Sequence, residues 1–74
     1  MIRFKLKALI EKQEFKLNRK ITVLEMAEKT EIGRGTLSRM LNQKGANTTV
    51  EKLDKLCKFF DCEISDLIEY VKED

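Results

Sequence analysis

Residues 22–42 read TVLEMAEKTEIGRGTLSRMLN, and this stretch decides the fold. Thr22 followed three positions later by Glu25 predicts a capping box, in which hydroxyl and carboxylate satisfy the amide donors that open a helix. Leu24, Met26 and Ala27 are then expected to face inward. The pattern breaks at Glu31, Ile32 and Gly33, and a second apolar stripe follows at Leu37, Met40 and Leu41, with Ile32 anchoring the turn. Two short amphipathic helices joined by a tight break are implied, over about 23–30 and 34–43. The outer face of the second reads Arg34, Gly35, Thr36, Ser38 and Arg39. Hydrogen-bond donors and small residues on one exposed helical surface suit entry into a DNA major groove.

Leu24, Met26 and Ala27, followed by IGRGTLSR at residues 32–39, resemble the phage repressor/Cro type of helix-turn-helix, also called the XRE type. TTVEKLDKLCKFF at 48–60 and ISDLI at 64–68 resemble that family's last two helices, so the likeness covers most of the chain. It implies an all-α, compact five-helix, lambda-repressor-like DNA-binding domain, with the second and third helices as the motif. The function implied is that of a sequence-specific regulator of transcription, a repressor that occupies a double-stranded operator. In this family the N-terminal end of the second motif helix meets base edges, a role that falls here to Arg34, Gly35, Thr36, Ser38 and Arg39. Asn42 matches a phosphate-bonding position, and Lys44 and Asn47 in the following loop are expected to act likewise. Two residues depart from the family pattern. Glu31 stands where the family usually has a turn glycine, a position that often needs positive φ, so the turn is expected to take a different shape. Val23 stands where a glutamine often touches phosphate, and the contact is expected to pass to Thr22, Lys20 or the helix's backbone amides.

A chain of 74 residues has room for one domain, residues 1–74, and for no separate sensor or catalytic module. Net charge is only +2, but it is unevenly spread: residues 1–20 carry +5, residues 21–45 carry +1 and residues 46–74 carry −4. The basic half suits phosphate, and the acidic tail is expected to point away from it. No apolar run approaches the roughly 20 residues of a membrane span and no signal-peptide core is present, so a cytoplasmic protein without membrane contact is expected.

In the remaining chain, Ile2, Phe4 and Leu6 alternate and allow a short extended start, while Leu6, Leu9, Ile10 and Gln13 take helical spacing up to about Glu14. Residues 15–21 form an insertion relative to the family, either a longer first helix or a basic loop, with Phe15, Leu17 and Ile21 capping the core. Lys44, Gly45, Ala46 and Asn47 read as a loop. Thr48 with Glu51 predicts a second capping box opening a helix whose inward residues are Val50, Leu53, Leu56, Cys57 and Phe60. Ser65 is the expected cap of a last helix carrying Leu67, Ile68 and Val71, and residues 72–74 should fray.

Cys57 and Cys62 lie five positions apart, where a disulfide would need unusual local geometry, and reduced thiols are expected. Two cysteines without histidine fall short of a zinc site, and no metal, cofactor or small-molecule effector is expected. Nor does any catalytic constellation stand out. Pairing of two copies would set recognition helices about 34 Å apart, with Leu67, Ile68, Tyr70 and Val71 as candidate dimer surface. A competing reading is a protein-interaction module such as an antitoxin, with the acidic half as partner surface.

Overall fold

Five helices and a two-stranded ribbon make up the computed structural model, which describes residues 1–42 and 48–72. In chain order they are β1 (Ile2–Phe4), α1 (Leu6–Leu17), α2 (Val23–Thr30), α3 (Arg34–Asn42), α4 (Val50–Phe60), α5 (Ile64–Leu67) and β2 (Ile68–Tyr70). The ribbon corrects the all-α expectation. β1 and β2 are antiparallel, with Ile2 opposite Tyr70, Arg3 opposite Glu69 and Phe4 opposite Ile68. Beyond them the Met1 ammonium donates to the Val71 carbonyl and the Val71 amide donates back to Met1, each at 2.7 Å. α5 is therefore a single turn, and Ile68 and Val71 belong to extended chain rather than to a helix. A four-residue helix is too short to sustain itself, whereas Ile68, Tyr70 and Val71 suit a half-buried strand.

Leu6, Met26, Ile32, Leu37, Met40, Leu56 and Leu67 are wholly or almost wholly buried and form the centre of the core. Phe4, Leu9, Ile21 and Phe60 close around them. Leu67 thus leaves the surface expected for dimerisation, while Tyr70 stays exposed. Two other inward assignments fail. On α2 the buried stripe runs Val23, Met26, Ala27, Thr30, and Leu24, one step round the helix, points outward. Val50, in the first turn of α4 beyond the edge of the core, is 82% exposed.

The stretch after residue 14 lengthens α1 to Leu17, where Asn18 turns left-handed at φ 54°. Glu14 Oε2 then accepts the Ile21 amide at 2.8 Å, drawing the chain back so that Ile21 is buried. Phe15 and Leu17 do not cap the core: Phe15, two positions past inward-facing Gln13, projects from the opposite face and is 90% exposed. The cap of α4 shifts by one residue, with Thr49 Oγ1 accepting the Lys52 amide at 3.2 Å. Thr48 Oγ1 is buried without a partner among the described residues. At α5 the N-cap is Glu63, not Ser65, and its amide donates to Asp66 Oδ2 at 3.2 Å. The loop expected at 44–47 and the end at 73–74 lie outside the described residues.

Candidate nucleic-acid interface

Thr30 builds the turn between α2 and α3. Its buried hydroxyl donates to the Met26 carbonyl at 2.6 Å and accepts the Ile32 amide at 3.3 Å, so one side chain closes a helix and pins the residue beyond it. Between them Glu31 adopts φ 62°, ψ 20°, and its amide donates to Ala27 O at 2.9 Å. The expectation of a different turn shape is therefore wrong. Glu31 takes the left-handed conformation a glycine would take, a strained one for a residue with Cβ. Its carboxylate lies 3.6 Å from Lys55 Nζ, which is equally distant from Glu51. Gly33 O accepts the Leu37 amide at 3.1 Å and opens α3.

Leu37 and Met40 drive one side of α3 into the core, and this leaves Arg34, Gly35, Ser38, Arg39 and Asn42 exposed on the other. Thr36, also expected on that face, is half-buried at its margin. Among the described residues, neither Arg34 nor Arg39 has a carboxylate within ion-pair distance. A Cβ added at Gly35 would meet nothing within 4 Å, so the glycine fills no internal need and leaves a low spot on the outer surface.

Thr22 caps the start of α2. The Glu25 amide donates to Thr22 Oγ1 at 3.1 Å, which is half of the expected capping box. The carboxylate of Glu25 is instead engaged by Arg19, whose two terminal nitrogens donate to its two oxygens at 2.8 and 2.9 Å. That bidentate hydrogen bonding, reinforced by the opposite charge, raises the Arg19 pKa. It also holds Glu25 below its ordinary range. Val23 is half-buried and packs against the core, so it offers no polar contact outward. Lys20 and Thr22 are exposed. Lys44 and Asn47 lie outside the described residues. Two contributors escaped the sequence reading, Thr30 and the Arg19–Glu25 pair. A threonine four positions after a helical carbonyl was available as a signal for the first, but a pair six positions apart across a turn has no periodic signature.

The arrangement is a two-helix corner with a core-locked turn, an outward cationic face on the second helix and an open N-terminus on the first. The family model of the Cro/C1-type HTH DNA-binding domain matches residues 13–73. The chain belongs to this family. No significant match occurs among curated proteins or solved structures. Membership in the Cro/C1-type family makes double-stranded DNA the partner and a DNA-binding regulator the role. The matched span begins within α1, so β1 lies outside the part that the Cro/C1 model describes. Among the described residues no helix is long and apolar enough to cross a membrane.

Proposed function

We propose that the protein is a repressor that occupies an operator through α3 and blocks polymerase there, a mechanism of occupancy and not of catalysis. The observation that carries this reading is the outer face of α3, where exposed Arg34 and Arg39 flank Gly35 and Ser38 and are free of carboxylate partners among the described residues. An arginine presented in this way bonds O6 and N7 of guanine together, worth about 1–3 kcal/mol of discrimination. In this reading Arg34 and Arg39 read bases, Ser38 adds an adaptable hydroxyl, Thr36 contacts a thymine methyl or a phosphate, and Gly35 lets the backbone approach. Lys20, Thr22 and Asn42 hold phosphates. Thr22 Oγ1 accepts the Glu25 amide and so keeps its own proton to donate outward. The Val23 and Leu24 amides, without partners among the described residues, add the positive end of α2. Lys44 and Asn47 are assigned to phosphate from their place in the sequence. The chain acts as one domain with its motif at 22–42. Two copies bind a two-fold site with recognition helices about 34 Å apart, and exposed Ile2 and Tyr70 offer apolar surface for that pairing.

Selecting bound duplexes from a random pool, then titrating the selected duplex against a random one at several salt concentrations, tests the proposal. With about six phosphates neutralised per bound protein, the log–log salt slope is expected near −5. Arg39→Ala should weaken binding to the selected site by about 1–3 kcal/mol while changing random-duplex binding much less. Binding that is absent, or independent of salt, would overturn the operator reading. An Arg39→Ala variant that keeps both affinity and preference would remove Arg39 from the reading face.

A further inference from the structure

We propose that Cys57 and Cys62 form a dithiol modification site that a low-molecular-weight disulfide closes to an intramolecular disulfide, because the C-terminal cap of α4 holds the two thiols together. The cap is a Schellman motif. Asp61 adopts φ 51°, ψ 53°, its amide donates to Lys58 O at 3.4 Å, and the Cys62 amide donates to Cys57 O at 3.1 Å. This pattern brings the side chain just beyond the helix against the one five positions earlier, a place usually filled by an apolar contact. Here both residues are cysteines. Both are free and half-buried, and Cys57 lies close enough to Cys62 to disfavour its ionisation. Five positions of separation, unfavourable for a disulfide in a continuing helix, become favourable once a left-handed residue reverses the chain.

Small reagents can reach both sulfurs. Cys57 lines a shallow groove with Val50, Leu53 and Ile64. Cys62 opens on a separate cleft lined by Lys12 and Lys16 and by Asp61 and Asp66, a balanced rim open to a small disulfide such as oxidised glutathione. In the first step one cysteine thiolate attacks a sulfur of the external disulfide. The external S–S bond breaks, one glutathione thiol leaves with a proton, and a mixed disulfide remains on the protein. The second cysteine gives up its proton and attacks the protein sulfur of that mixed disulfide, releasing the second glutathione. Two protein thiols are thereby oxidised by two electrons and one external disulfide is reduced to two thiols. Burial, together with Cys57 and the nearby carboxylates of Asp61 and Asp66, pushes the Cys62 thiol up to about 11, which makes it the slow partner at neutral pH.

The test equilibrates the full folded chain in glutathione redox buffers, quenches with acid and maps the products by mass spectrometry. The expected product is monomeric, lacks two hydrogen atoms and yields a peptide linking Cys57 to Cys62. Its equilibrium constant should exceed that of the same chain in urea by at least about tenfold, since only the folded cap holds the pair together. Asp61→Gly, which accepts the left-handed conformation, should keep this advantage, and Asp61→Val should reduce it. Mixed disulfides that persist, disulfides between two molecules, or a folded chain that closes no better than the unfolded one would each overturn the proposal.

Discussion

Glu31 holds the turn of the motif at φ 62° with a side chain that gains little in return, since its distance to Lys55 is 3.6 Å and it remains largely exposed. An exposed ion pair of that kind contributes about 0–1 kcal/mol, against a cost of about 1–2 kcal/mol for a left-handed residue with Cβ. Glu31→Gly should therefore raise stability by about 1 kcal/mol in chemical denaturation. Operator affinity should stay unchanged, because the backbone would not move. A loss of stability would mean that the Lys55 contact outweighs the strain. Thr30 and Glu31 also mark how far the sequence could be read. The apolar stripes at Met26, Ile32, Leu37 and Met40 disclosed the two helices, and the place of the break was legible. The turn's conformation was not, since it depends on a buried hydroxyl bridging Met26 and Ile32 and not on the residue type at position 31.

Among the elements, α1, α2 and α4 all end in a left-handed residue, and these are Asn18, Glu31 and Asp61. Gly33 and Gly35 sit elsewhere. A reader of sequence looks for glycine at such ends, and residues 15–21 hold none, so the sequence leaves open whether α1 runs on past Glu14. The N-terminus of α2 was only partly legible, because Arg19 competes for the carboxylate that a capping box would use. Its consequence is a dependence on acidity. Glu25 is held below its ordinary value of 4.5 by the hydrogen bonds and charge of Arg19. A carboxylate with a depressed folded-state pKa stabilises the fold above its unfolded value, and that contribution is lost as pH falls through the folded one. Thermal melts from neutral pH to below 4.5 should show a steeper loss for the wild-type chain than for Glu25→Gln. The same variant frees Arg19 for phosphate and should steepen the log–log salt slope of DNA binding by about one. An unchanged slope would place Arg19 out of reach of the duplex.

At the scale of the whole molecule, the two ends of the chain meet in one ribbon. β1 shares no part of the span matched by the family model, and family likeness alone would mark it as dispensable. The packing says otherwise. Phe4 is buried in the core, the Lys5 amide donates to Leu67 O at 2.7 Å, and Arg3 pairs with Glu69 across the outward face. Deleting residues 1–4 should lower unfolding free energy by at least about 2 kcal/mol, the worth of a buried phenylalanine, with urea denaturation as the measure. A truncated chain as stable as the whole would leave the ribbon an ornament. The charge gradient read from the sequence acts on this scale too, since the half that carries −4 keeps that excess after Lys55 and Lys58 have paired with Glu51 and Asp54.

The ribbon also bears on the order of events in folding. The contacts of α2 with α3 join residues fewer than twenty positions apart, whereas Met1 and Val71 are separated by 70. Loop-closure entropy grows with that separation, so the helical corner should assemble early and the ribbon zip last. By the same reasoning the ribbon is the first part to open in native-state fluctuations, and its amides should be among the earliest to exchange with solvent.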